Sequence, residues 1–228
     1  TGPVFSSGHD FADFIPSVPR QVQQQTLQLC SSVSVGFRKL PQPVVASVQG
    51  LATAGGCQLA CACDLVIASR NAAFRVPGAA GGGFCHTPGV ALAQKVHPRK
   101  ALELLLLARP VPADEAQQMG LVNVVCDPDK LESETQKIAS KLSRASAFNL
   151  QMGKQAFYEV LETSTLEGKF RLAEGYMLDQ FNSADASQAS DAFLSQPRRK
   201  PDRNWKHTFT GEEPANPTDI WGQPKKKK

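Results

Sequence analysis

The chain has 228 residues, 41% of them hydrophobic and 20% charged, which suits one domain with enough core to fold without disulfides or structural metal. No run of ~18 apolar residues is present, so nothing reads as a membrane span. The net charge of +4 is uneven: from Gln196 onward 9 basic residues face 4 acidic ones, and elsewhere 16 face 17. A neutral body argues against a nucleic-acid partner, and Lys225 to Lys228 read as a solvated end.

The first residues, Thr-Gly-Pro-Val-Phe, are neither a start methionine nor a signal or transit peptide, so the chain reads as cut at its N-terminus. Phe5 to Asp10 (Phe-Ser-Ser-Gly-His-Asp) leaves an apolar start through a glycine turn. From about Arg20 to Leu40, Val22, Leu29, Val33, Phe37 and Leu40 recur as one helix face does, until Pro41 and Pro43 end the pattern.

Val44 to Ala68 follows, and it organises the front half. Val44 to Val48 and Leu65 to Ala68 are short apolar runs of the buried-strand kind. Between them, Gly55 and Gly56 open a small-residue helix whose backbone can be approached closely. Free N–H groups there stabilise a negative charge, whether phosphate, carboxylate or a developing oxyanion. The alternative for the glycine pair is tight helix–strand packing. Cys57, Cys61 and Cys63 match no zinc spacing, so no metal is expected, and they read as small, reduced, buried hydrophobes.

Ser69-Arg70-Asn71 predicts a hairpin-like step into Ala73-Phe74, and Pro77 to Gly83 a flexible loop. Helices are predicted from Thr87-Pro88-Gly89, after Pro98, and from Pro112 to Gly120, with a strand over Leu121 to Val125. Beyond Asp127 the chain reads as helices, with stripes at Leu131, Thr135, Ile138 and Leu142, then Phe148, Met152, Ala156 and Val160, then Leu166, Phe170, Ala173 and Met177. A last helix covers about 184–194, and the segment past Pro197 reads as a loose tail. Strands separated by helices favour a parallel sheet with crossovers.

Phe5 to Asp10, Val48 to Ala60, Cys63 to Ser69, Ala73-Phe74, Gly83 to Gly89, Ala113 to Val122 and Ser183 to Phe193 together resemble, in order, the enoyl-CoA hydratase/isomerase (crotonase) superfamily. The resemblance implies an α/β fold, a crotonase-like spiral of ββα units with a C-terminal helical region. Its extents here are residues 1–125 for the α/β core, 126–196 for the helical region of the same domain, and 197–228 for a basic tail. It implies an acyl-CoA thioester ligand, a homo-oligomer (trimer or hexamer), fatty acid or lipid metabolism, and, through the Gly83–Gly89 loop, a mitochondrial member. No separate cofactor is implied, since coenzyme A enters as part of the substrate, with Ser7, His9 and Asp10 as binding positions.

The family's oxyanion hole, carried over by motif position, is the backbone N–H of His9 and of Gly55. Its two hydratase glutamates fall on Gln58 and Gly78, neither of which can serve as a general base. His86 lies where some isomerases of the family keep an acidic group; it is either a proton carrier or a loop histidine satisfied by backbone. Asp10 reads as a helix cap, Asp64 as a turn-fixing residue, and Lys154, Arg198, Arg199 and Lys200 as phosphate contacts or a solvated face. Three functions follow as expectations: an acyl-CoA-binding protein with doubtful hydratase activity, an active lyase, isomerase or weak hydratase, and a non-catalytic regulatory or structural subunit.

Overall fold

The structure, a computed structural model, describes residues 2–195. The tail expected over 197–228, with Arg198, Arg199 and Lys200, lies outside the described residues. Inter-residue contacts divide the chain into Thr1–Ala139 and Ser140–Lys228, a boundary that falls inside a helix.

The first unit holds seven strands: β1 Val4–Ser6, β2 Val45–Val48, β3 Leu51–Thr53, β4 Leu65–Ser69, β5 Ala73–Arg75, β6 Val111–Pro112 and β7 Val124–Cys126. They form two sheets instead of one, in the orders β1-β3-β5-β6 and β2-β4-β7. All pairs are parallel except β5 with β6. The expected hairpin step after Ala68 is therefore absent. β4 pairs with β2 and β7, β5 pairs with β3 and β6, and the turn at Ser69-Arg70-Asn71 passes the chain from one sheet to the other. Gln49-Gly50 does the same between β2 and β3. A Cβ on Gly50 would sit 2.1 Å from the Pro3 carbonyl oxygen, so this transfer needs glycine.

The helices of this unit are α1 Arg20–Lys39, α2 Gly55–Ala62, α3 His86–Ala93, α4 Pro98–Leu107, α5 Ala113–Gln118 and α6 Leu131–Ser143; α6 runs on across the division. The buried α2 packs on α1 and α3 and places Cys57, Ala60 and Cys61 against Val48, Ala52, Phe74, Leu92 and Val111. Ile67, Cys126 and Leu131 form a second cluster, where Thr135 meets the Ser47 hydroxyl at 3.0 Å. All six cysteines are free thiols. The strand expected over 121–125 starts later, because the N–H groups of Leu121 and Val122 both turn back to the Ala116 carbonyl and close α5.

The stripe on α1 behaves differently from its pattern. No residue of α1 is buried, and Val22, Leu29 and Val33 stand open, leaving Phe37 to pack on the core. In the second unit α7 Ala147–Glu162, α8 Leu166–Phe181 and α9 Ala184–Leu194 begin on Ser146, Thr165 and Ser183, whose hydroxyls accept from Asn149, Gly168 and Ala186 N–H. These are ordinary N-caps. α7 packs on α8, and Tyr176 donates to Glu159 at 2.8 Å. Phe148, Phe157, Phe170 and Met177 remain exposed. No helix among the described residues is long and apolar enough to cross a membrane.

Candidate active site

Parallel pairing of β1 with β3 carries the ends of both strands to one place. Ser7, Gly8 and His9 leave β1 there, and Ala54 and Gly55 leave β3. Gly8 has φ +86°, and a Cβ on it would lie 2.6 Å from the Gly55 nitrogen. A Cβ on Gly56 would lie 2.1 Å from the Ser6 carbonyl oxygen. The two segments thus touch backbone to backbone, which only glycine permits. The tight packing expected of the glycine pair is present.

Ala54 has φ 51° and ψ −119°, a left-handed conformation that costs a non-glycine residue about 1–3 kcal/mol. Its own N–H is tied to the Arg75 carbonyl at 2.9 Å, which fixes the following peptide. Gly55 is the first residue of α2, so its N–H has no acceptor within the helix. No acceptor occurs for the His9 N–H among the described residues. Two unengaged backbone donors on touching segments can hold an anion or a carbonyl oxygen on which charge develops.

A pocket of about 600 Å³ opens beside these donors. Ser7, His9, Phe11 and Phe14 form one wall, Leu27 of α1 another, and Pro77, Gly78, Phe84, Cys85 and His86 the opposite side. The His9 ring lies against Gly55 and meets Phe14 edge-on at 5.3 Å between centroids. Its Nε2 is buried with no hydrogen-bond partner. His86 lines the pocket with Nδ1 3.0 Å from the Phe84 carbonyl oxygen, so the backbone contact expected of a loop histidine is present.

Gly78 lies in this wall but has no room for a side chain. A Cβ there would sit 2.6 Å from the Cys85 nitrogen and 2.7 Å from the Phe84 carbonyl carbon. The Gly78 N–H donates to Cys85 Sγ at 3.2 Å. Burial pushes the Cys85 thiol up, and the Gly78 N–H partly opposes it, so Cys85 is held as a thiol.

Gln58 is not brought to this pocket. It is 2% exposed, its Nε2 donates to Ser34 Oγ on α1 at 3.1 Å, and its Oε1 is buried without a partner. Its side chain lines a second cavity of about 200 Å³ between α1, α2 and α3. Asp10 is likewise outside the larger pocket, because its carboxylate accepts from Ala12 N–H at 2.9 Å and caps the turn Phe11–Phe14. Asp64 accepts from Val44 N–H at 2.6 Å and fixes the turn before β4. Asp114 and Glu115 pair with Arg70 and Arg109.

The profile of the enoyl-CoA hydratase/isomerase family matches residues 1–207. The chain belongs to the enoyl-CoA hydratase/isomerase family. It is 40% identical over 206 residues to the mitochondrial enoyl-CoA hydratase domain-containing protein 3 of Mus musculus, covering 90% of this chain and 67% of that protein. A crotonyl-CoA hydratase of Syntrophomonas wolfei is 32% identical over 194 residues, 83% of this chain and 73% of its own. The solved structure of human enoyl-CoA hydratase domain-containing protein 3 superposes with a TM-score of 0.83 at 40% identity, covering 88% of this chain and 78% of that one. The crotonase fold expected from the motifs is the fold of this family member.

Some residues of the site gave little signal in the sequence. Phe11 and Phe14 follow the Asp10 cap at a spacing of three, which turns both toward one side, and that much was available. Ser34 was not, since the partner of Gln58 lies 24 residues upstream on a different helix. Cys85 was visible only as part of a family loop; its place over Gly78 depends on how residues 79–84 close.

Proposed function

We propose that this hydratase/isomerase family member binds an acyl-CoA thioester, with the thioester oxygen held by the N–H groups of His9 and Gly55, and that it does not run two-glutamate hydration. The observation that carries the reading is the contact of Gly8 with Gly55 beside a strained Ala54, with His9 and Gly55, whose N–H groups have no acceptor among the described residues, both lining a 600 Å³ pocket. Such donors lower an acyl-transfer or enolate barrier by about 2.7–4 kcal/mol each. Ser7 and His9 border the thioester, and Phe11, Phe14 and Leu27 offer apolar surface to an acyl chain. At position 78 there is no carboxylate and no space for one, and the Gln58 amide is turned to Ser34. The curated mouse relative is named as mitochondrial, which supports the same compartment for this chain, and the open apolar faces of α1 and α4 support a homo-oligomer.

Equilibrium binding of hexanoyl-CoA and free CoA, with crotonyl-CoA hydration measured beside a bacterial crotonyl-CoA hydratase, tests this. Thioester binding about ten-fold tighter than CoA, with hydration near background, is expected. Hydration within ten-fold of the bacterial enzyme overturns the proposal, and failure to bind any thioester favours a non-catalytic subunit.

A second reading, an active isomerase or lyase, is favoured by the presence of His9 and His86 in the same pocket. Exchange of deuterium from solvent into the acyl α-carbon, lost in His9→Gln or His86→Gln, is its signature.

A further inference from the structure

The cavity behind Gln58 is not explained by holding a thioester oxygen. It lies between α1 and α3 over α2, and it meets the larger pocket at Thr87, which lines both. On α1 the shared wall continues by one turn, from Leu27 in the larger pocket to Ser31 and Ser34 in the smaller. Gly55 and Gln58 are three residues apart on α2, about 4.5 Å along the axis, the reach of a short acyl chain.

The chemistry of this cavity is mixed. Val35, Cys61, Ala62, Val90 and Ala91 are apolar, whereas Arg38, Lys95 and Gln58 bring polar atoms to its walls. Gln58 is 98% buried with one amide atom bonded to Ser34 and the other unpartnered. Turning the amide over exchanges the two atoms but leaves one of them unsatisfied, so either orientation calls for an occupant. If the Ser34 hydroxyl turns from the Cys30 carbonyl, which it reaches at 3.4 Å, to Gln58 Oε1, the Nε2 is presented as a donor. Lys95, whose Nζ also donates to the Cys63 carbonyl at 3.3 Å, and Arg38, which reaches Gln94 at 3.5 Å, add positive charge. Burial lowers the basicity of Lys95, the Asp64 carboxylate partly opposes that, and the neighbouring Arg38 adds to it, so a second anion beside the two cations is favourable.

We propose that this cavity seats a carboxylate at the far end of the acyl group, so that the ligand is a short dicarboxylyl-CoA thioester whose chain passes Thr87. The proposal rests on the acyl-CoA reading above. An amide N–H and two cations about one carboxylate satisfy the orphaned amide and place the anion where both cations line the wall.

The test uses adipoyl-CoA and hexanoyl-CoA, equal in chain length and differing in the terminal carboxylate, by calorimetry at low salt with the full chain. Adipoyl-CoA is expected to bind about ten-fold more tightly. Lys95→Met and Arg38→Gln are each expected to bring that ratio close to one while hexanoyl-CoA affinity stays within about two-fold. Arg38 is at the rim of the cavity, so its variant serves if Lys95→Met does not fold. Equal or weaker binding of adipoyl-CoA by the unaltered protein overturns the carboxylate seat. So does a preference that survives both substitutions. If hexanoyl-CoA itself fails to bind, the acyl-CoA reading falls and the carboxylate seat falls with it.

Discussion

Placing glutamate at both positions, as Gln58→Glu with Gly78→Glu, is expected not to produce efficient hydration. General acid–base groups contribute about 10²–10⁴-fold each, so a site limited only by missing carboxylates gains at least a hundred-fold. Here the backbone itself stands in the way. A Cβ at position 78 starts 2.6 Å from the Cys85 nitrogen, and ordinary contact begins at 3.4 Å, so the Phe84–Cys85 backbone must retreat by about 0.8 Å. Overpacking of this kind costs about 1–3 kcal/mol, which for a chain of this size lowers Tm by about 2–4 °C per kcal/mol. At position 58 the new carboxylate replaces an amide 98% buried against Ser34, outside the larger pocket. The assay is the loss of the conjugated enoyl chromophore of crotonyl-CoA, with a melting curve for each variant. A hundred-fold gain in hydration at an unchanged Tm refutes the steric argument.

Gly56→Ala is expected to lower Tm by many degrees, because its Cβ meets the Ser6 carbonyl oxygen at 2.1 Å. Gly153→Ala, on exposed α7 surface with nothing within 4 Å, is expected to raise stability by up to about 1 kcal/mol; equal melting temperatures for these two variants refute the packing account. Burial raises the Cys30, Cys85 and Cys126 thiols above their ordinary value, and a hydrogen bond with Cys57 together with burial raises Cys61. The unfolded chain therefore loses those protons first as pH rises. This share of stability is full below the ordinary thiol pKa and is lost as pH climbs through the raised ones. Lys95, lowered by burial, acts in the opposite sense, but as one group against four. Tm should thus fall between about pH 8.5 and 10, and the fall should shrink in Cys85→Ala; a flat profile contradicts it.

The sequence carried the strands best where apolar runs were short and bounded, as at β2 and β4, and the glycine pair announced a close backbone approach. The hairpin expected after Ser69 failed because a turn's residues say that the chain reverses, not which sheet receives it. The stripe on α1 was real in period yet left open, since amphipathicity gives a face without naming what covers it. The sequence puts Gln58 at a motif position of the resemblance, but its direction was not legible, being set by Ser34 on a helix the motif does not include. The closure over Gly78 was hidden for the same reason: a glycine in a Gly-rich loop looks permissive, and only the neighbouring Cys85 nitrogen shows that it is obligatory.

β1 is three residues long and, among the described residues, pairs only with β3. One of the two donor segments hangs from its end, and the contacts of Gly50 with Pro3 and Gly56 with Ser6 fasten it. Fraying of this strand separates His9 from Gly55 while leaving the rest of the core standing. Apparent affinity for anything gripped by both donors therefore equals the intrinsic affinity scaled by the fraction of molecules in which β1 is docked. A ligand that bridges the two segments must, by the same linkage, slow amide exchange in Val4 to Ser6. This short strand thus acts as a rheostat on the proposed site, set by a handful of backbone contacts.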